Sequence, residues 1–247
     1  MQADSDLLAE FEAVDATQGA AAATGYNVAP TDAVRAIVNR RQRDAAGRPA
    51  GDPVRQLRVV SWGLVPSWAK DRSGAARMIN ARSESVAGKP AFKRAFASRR
   101  CLIPADGWYE WRTAPDAPAK TAKQPFFMTP VDGHGLAFAG LYEFWSDPGV
   151  PDAPTITTAT IITVASAGEL ETIHDRMPLV LAGPDWERWL DPSVTDPVEL
   201  LSTWDEAAGE HLELRPVSSR VNSVQHDGPE LIERVDPEDV TSALQLF

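Results

Sequence analysis

The chain has 247 residues, 43% hydrophobic and 24% charged, the composition of a soluble globular protein long enough to bury a sizeable core. No apolar run approaches the roughly 18 residues of a membrane span, no basic-then-apolar leader marks a secretory signal, and the lone Cys101 excludes an internal disulfide framework and suits a reducing cytoplasm. The net charge of −11 argues against a polyanionic partner until its distribution is read: residues 1–123 hold 19 Lys+Arg against 13 Asp+Glu and residues 124–247 hold 5 against 22, which fits either a basic face opposite an acidic one or two solvated surfaces with no partner.

In chain order, Ser5 to Val14 reads as a short amphipathic helix, with Leu7, Leu8, Phe11 and Val14 at helical spacing and Ser5 or Asp6 as its cap. An Ala/Gly-rich link leads to Tyr26-Asn27-Val28-Ala29-Pro30-Thr31. Val34–Val38 and Leu57–Val60 read as strands, with the polar stretch 40–56 as their connection. Pro90–Ser98 is a helix with Pro in its first turn. Cys101–Pro104, Gly107–Trp111, Phe126–Thr129, Leu136–Tyr142, Thr157–Val164 and Leu212–Val217 read as strands, and 146–155 as an exposed loop. Helices are expected at 167–173, 184–190 and 197–207, the last capped by Asp196 with Pro197 at its first position. Many short strands with interspersed helices imply an α+β fold around a strongly curved, mainly antiparallel sheet. One domain is expected over residues 1–235, followed by an acidic mobile tail at 236–247.

Four segments carry groups suited to chemistry. Asn80, Arg82 and Glu84 alternate, so on an extended chain they share a face, as a polar site or as a solvated edge. Glu110 lies between aromatics in Gly107-Trp108-Tyr109-Glu110-Trp111; apolar surroundings raise a carboxyl pKa and make a general acid, whereas an exposed edge strand does not. His174-Asp175-Arg176 closes a helix ahead of Pro178, as a cleft residue or as a structural His. Trp62 and Trp68 flank Pro66, and their indoles either stack on bases or fill the core. The four His are scattered without metal-ligand spacing, so no metal or cofactor is expected. Neither a phosphate-binding Gly-rich loop nor a nucleophile elbow is present in the sequence.

Taken in order, Asn27–Thr31 (NVAPT), Trp62–Asp71 (WGLVPSWAKD), Asn80–Glu84 (NARSE), Arg99–Trp111 (RRCLIPADGWYEW), Thr163–Leu181 (TVASAGELETIHDRMPLVL) and Val217–Pro229 (VSSRVNSVQHDGP) resemble the SRAP family of abasic-site-processing proteins. The resemblance implies a barrel-like α+β domain with a groove for single-stranded DNA. It also implies a covalent thiazolidine crosslink between the abasic aldehyde and the amine and thiol of an N-terminal cysteine. Carried onto this chain, it makes Asn80 an orienting group, Glu110 the acid/base and His174 a proton shuttle. Arg82 and Arg176 would hold phosphates; Asn27, Pro30, Trp62 and Trp68 would complete the DNA surface. The implied protein is a cytoplasmic, nucleoid-associated monomer with self-processing peptidase and lyase activities.

The resemblance departs at the start. The family begins Met-Cys-Gly-Arg, whereas this chain begins Met1-Gln2-Ala3-Asp4. The expectation is that a short leader carrying that motif precedes Met1 in the coding sequence; without it the chain would be a non-crosslinking DNA-binding module. A hydrolase pairing Cys101 with His174 is disfavoured, because Cys101 lies on an apolar strand.

Overall fold

The computed structural model describes residues 2–44, 46–113, 123–201 and 211–236. A large sheet runs in the order β1 (Val14–Asp15), β3 (Pro49–Trp62), β2 (Ala33–Arg43), β5 (Arg100–Ala105), β8 (Leu136–Trp145), β9 (Ile156–Ala165), β10 (Arg176–Pro178). The short strand β4 (Asn80–Arg82) joins it on β9. The sheet curls far enough for β3 to pair with β9 as well, at Ser61↔Thr158 and Trp62↔Ala159. A second sheet, β11 (Leu212–Pro216), β7 (Gln124–Pro130), β6 (Trp108–Arg112), packs beside it. The mainly antiparallel α+β architecture is the expected one, with parallel ladders at β1–β3, β3–β9 and β4–β9.

Several boundaries differ from the sequence reading, each for a local reason. Helix α1 (Asp4–Glu10) stops earlier than expected, because Phe11 turns into the core and Glu12 takes φ +48°; Val14 then leaves as the exposed start of β1. Residues 40–56 are the outer arms of the β2–β3 hairpin more than a connection, since polar side chains suit strands that project into solvent. Of the described residues only Asp44 and 46–48 lie between the arms, with Gly47 at φ +76°, and the ladder shifts register between Arg41 and Gln42. Pro90 lies ahead of α3 (Lys93–Ser98), and residues 168–172 form a 3₁₀ turn. Asn80 and Arg82 share the exposed side of β4 with Ala81 buried between them, but Glu84 belongs to the next element, α2 (Ser83–Val86). Asp196 does cap α5 (Pro197–Leu201), accepting from Val198 N at 2.9 Å. The expected remainder of that helix at 202–207 and the tail beyond Asp236 lie outside the described residues.

One cluster of buried residues joins α1, the sheet interior and α4 (Gly183–Leu190); Phe11 stacks on Trp186 with ring centroids 4.4 Å apart. A second fills the other side of β2, β5 and β8 around Val38, Cys101, Ile103 and Phe138. Arg100, almost fully buried, staples the helical layer to β5. Its guanidinium donates to the carbonyls of Trp189 (2.6 Å), Phe96 (2.7 Å), Val194 (2.9 Å) and Asp191. Those carbonyls terminate α3 and α4 or follow α4, and an apolar replacement would take this donor from all four, although the Asp191 carbonyl would keep Val194 N at 3.2 Å. Arg100→Met is therefore expected to lose roughly 3 kcal/mol or more, with Arg100→Lys restoring part of it. Urea unfolding of the three proteins checks this; a loss under about 1 kcal/mol for Arg100→Met would mean that the staple is dispensable.

Candidate active site

Glu110 stands in the middle of β6, paired opposite Phe126 of β7. Strand alternation puts it on the face of Trp108, which packs against both buried clusters, while Tyr109 and Trp111 take the opposite face. Tyr109 donates from its hydroxyl to the carbonyl of Tyr26 (2.8 Å), and Trp111 donates from its indole to Asn222 Oδ1 (2.7 Å). Loops 26–31 and 218–227 are thereby fastened over β6. Burial pushes the Glu110 carboxyl above the ordinary carboxylate range; His174 pulls it back, and Asp175 pushes it up again. The half-buried carboxyl and the histidine are thus electrostatically coupled, although they lie 64 positions apart in sequence.

His174 follows the 3₁₀ turn Gly168–Thr172 and precedes β10, and its side chain is 42% exposed. Its Nδ1 lies 3.0 Å from both the backbone nitrogen and the carbonyl oxygen of Arg176. In one tautomer Nδ1 accepts from that N–H; in the other it donates to that carbonyl. Either way Nδ1 keeps a partner, so the ring can present Nε2 as donor or acceptor without rotating.

Arg176 is fixed by a two-pronged contact with Glu84, at 3.1 and 2.9 Å, and donates to the Thr163 carbonyl at 2.6 Å. The registers explain the meeting: Thr163 of β9 pairs with Arg82 of β4 on one side and with Pro178 of β10 on the other. Glu84, two residues beyond Arg82, therefore reaches across to Arg176. That contact and a backbone hydrogen bond hold the Glu84 carboxyl below its usual range. The guanidinium of Arg176 is thus committed within the protein, while Arg82 lies exposed at the end of β4 and enters no ion pair among the described residues.

The Trp62 indole donates to the carbonyl of Ile79 (3.0 Å), directly before Asn80, which joins the two motifs. Gly63 continues from Trp62 with φ +127°, and a Cβ there would meet the Ala75 carbonyl oxygen at 2.7 Å, so only glycine permits this approach. Val65 N donates to Thr158 Oγ1 (2.9 Å), anchoring the segment to β9 and leaving Trp68 outside, 66% exposed. Trp68 borders a pocket of about 190 Å³ with Pro66, Lys70, Arg77 and Met78. Pro30 is exposed beside it in the chain: Thr31 N donates to Trp62 O and Trp62 N to Asp32 O, at 2.7 and 2.8 Å.

Asn27 is used differently. Its Nδ2 donates to the carbonyls of Val221 (3.0 Å), Ser223 (3.2 Å) and His226 (3.2 Å), and its backbone N–H to Asp227 Oδ1 (2.8 Å). It pins the 221–227 loop to the 26–31 loop. The sequence reading did not single out Glu84 as the partner of Arg176, nor Asn222 and Asp227 as loop anchors. All three stand inside the motifs quoted above, but their partners are distant in sequence. Cys101 is fully buried, and burial pushes its thiol far up, so it lacks the setting of a nucleophile. No cluster of three potential metal ligands occurs among the described residues.

The arrangement predicts a pH-dependent stability effect at Glu110. With its folded pKa raised above the unfolded value, ionisation of Glu110 penalises the fold. The penalty is absent below about pH 4 and grows as pH rises through the raised value. Glu110→Gln should therefore melt at the same temperature as the parent at pH 4 and at the same or a higher temperature at pH 8. A variant less stable at pH 8 than at pH 4, relative to the parent, would contradict the burial argument.

The chain is similar to known proteins over most of its length. The family model described as SOS response associated peptidase (SRAP) matches residues 1–224. The abasic site processing protein YoqW of Bacillus subtilis is 39% identical over 208 residues, covering 84% of this chain and 85% of that protein. The abasic site processing protein HMCES of Gallus gallus is 30% identical over 232 residues, covering 84% and 65%. Among solved structures, a Bacteroides thetaiotaomicron protein superimposes with a TM-score of 0.63 at 26% identity, over 73% of this chain and 78% of its own. A Bordetella bronchiseptica protein, 20% identical, shares the fold with a TM-score of 0.65 over 88% and 97%. The chain belongs to the SRAP family.

Proposed function

We propose that this protein processes abasic sites in single-stranded DNA, with Glu110 and His174 moving the protons. The observation that carries the reading is the half-buried Glu110 carboxyl, raised by burial and electrostatically coupled to His174, since an aldehyde-trapping reaction needs a proton donor and acceptor at one carbon. An open abasic sugar presents an aldehyde. A primary amine adds to it, and the carbinolamine loses water to an imine once its hydroxyl is protonated. A neighbouring thiol then adds across the C=N bond and closes a five-membered ring. Glu110, held protonated more readily than a solvated carboxyl, supplies the proton for water loss. His174, with Nδ1 partnered in both tautomers, takes protons up and returns them through Nε2.

Asn80 and Arg82, on the exposed side of β4, face the strand; Asn80 orients the sugar and Arg82 holds a flanking phosphate. Arg176 adds positive charge while its guanidinium stays on Glu84. Trp68, Trp62 and Pro30 form the wall for neighbouring bases, and base–aromatic stacking is worth roughly 1–3 kcal/mol per base. Asn27 shapes this wall through the loop it pins. None of these groups reads a base edge, which suits recognition of a lesion in any sequence. Acting on chromosomal DNA, the protein works in the cytoplasm at the nucleoid.

The burial of Cys101 favours a second reading, a DNA-binding module that does not crosslink. One experiment separates the two. The chain, and the same chain with Met-Cys-Gly-Arg-Tyr-Ala in front, are incubated with single-stranded DNA carrying one abasic site and run on a denaturing gel. A shifted band from the extended protein is expected, forming roughly 100-fold more slowly with His174→Ala or Glu110→Gln. Retention of the DNA under native conditions without a shifted band from either protein would establish the binding module. Failure of both to bind would overturn the assignment.

A further inference from the structure

The β2–β3 hairpin, residues 33–62, carries seven Arg and two Asp. Its arginines gather at the end away from Trp62: Arg40, Arg41 and Arg43 fall within four positions of β2. From Ala33, beside the Trp62 end of the ladder, to Arg40 is seven residues, or roughly 23 Å of strand at about 3.3 Å per residue. There a cavity of about 360 Å³ opens, lined by Arg40, Arg41, Arg43, Arg99, Tyr142 and Phe144 among others. It is separate from the pocket bordered by Trp68, with no lining residue in common.

The cavity is built for negative charge and holds little of its own. Arg40 is seated, not dangling, with its guanidinium 4.8 Å from the centre of the Phe144 ring. None of Arg40, Arg41 and Arg43 enters an ion pair among the described residues; Arg43 donates to the Gly47 carbonyl. The carboxylate at the cavity wall, Glu143, is already paired with Arg99 at 2.5 Å and also accepts from Phe144 N at 2.8 Å. Arg99 Nε is buried with no hydrogen-bond partner. Arg58, on β3 nearby, has its proton affinity depressed first by burial and then by Arg40 and Arg43. Like charges crowded without counter-charge oppose folding, and an anion with several acceptor oxygens relieves them.

We propose that this cavity is a second phosphate site, taking backbone phosphodiesters of a DNA strand that runs along the hairpin from the Glu110–His174 site. The proposal rests on the DNA reading above and adds a footprint to it. The row of arginines along β2 suits successive phosphates better than a single anion. At about 3.4 Å per stacked nucleotide, the length of β2 from Ala33 to Arg40 corresponds to about seven nucleotides.

The test compares binding of an undamaged 25-nucleotide single strand with that of a four-nucleotide strand, across a salt series. The proteins are the full parent chain, Arg41→Gln/Arg43→Gln, whose side chains are exposed, and Arg40→Gln. For the long strand, the double variant is expected to lose roughly tenfold in affinity. The slope of log K against log salt should shrink by about 1.4, the value for two single-strand phosphate contacts. The four-nucleotide strand should bind all three proteins alike. Long-strand affinity and slope unchanged in both variants would overturn the second site. So would saturation of the cavity by inorganic phosphate, followed by Arg41 and Arg43 chemical shifts, with no effect on long-strand binding; that outcome would reassign it to a free anion. Failure of the four-nucleotide strand to bind any protein, with the long-strand difference intact, would strike the active-site reading and leave this one standing.

Discussion

The register of β9 is the constraint on which core and site both depend. It pairs antiparallel with β8 and β10 and parallel with β3 and β4, so it meets four strands along ten residues. Because both of its faces are buried, its sequence, Ile156 to Ala165, is nearly all Ile, Thr and Val rather than alternating. A slip of one residue would exchange its faces. It would also take Thr163 out of line with Arg82 and Pro178, break the approach of Glu84 to Arg176, and remove Thr158 Oγ1 from Val65 N. The candidate site thus inherits its geometry from a strand buried on both faces rather than from its own loops.

Within the site, two carboxylates receive opposite treatment. Glu84 is paired with a guanidinium in two-pronged geometry and is held ionised; Glu110 is half-buried on a strand of aromatics, has no cationic hydrogen-bond partner among the described residues and is driven toward its neutral form. A partly exposed ion pair contributes little stability, but its fork geometry fixes orientation. That orientation matters because His174 hangs on the backbone of Arg176. Glu84 therefore acts on the histidine at one remove: it positions Arg176, whose N–H and carbonyl position Nδ1. One carboxylate serves as frame and the other is the proposed acid/base, and environment alone distinguishes them.

Much of this was legible in the chain. Alternation and β-branched runs located eight strands between Val34 and Val217 but not the three-residue β4 and β10, which are too short to show a period, and the candidate site is built from segments of the six ordered motifs. What was not legible required partners distant in sequence. The pattern Asn80-Ala81-Arg82-Ser83-Glu84 reads as one extended face, yet the chain turns helical at Ser83, and Glu84 meets Arg176, 92 positions away, across β9. Asn27 looked like a surface ligand and instead satisfies three carbonyls of a loop nearly 200 positions on; an amide's use is decided by the groups around it. The hairpin arms were read as a connection because their polarity mimics that of a loop. A two-stranded arm in solvent has no buried face to impose alternation, so polarity alone could not separate the two.

The uneven charge of the chain gains a physical sense from this geometry. A net charge of −11 repels a polyanion at long range, most strongly at low salt, while contact with a strand depends on fields within a few ångströms. At about 0.1 M salt the Debye length is about 10 Å, so acidic groups across the molecule are screened from a bound strand while cations touching it are not. Some of the acidic half is neutralised internally as well: Arg215 and Arg234 both contact Glu213, and hydrogen bonding with Arg215 is the main cause of its pKa falling to about 2. Cations concentrated in the first half, on the hairpin and around β4, can therefore hold a strand locally although the whole molecule is acidic. On the proposed function, encounter would be slowed by the global field and retention set by the local one, a combination that would favour binding where a lesion offers a reaction over coating every strand.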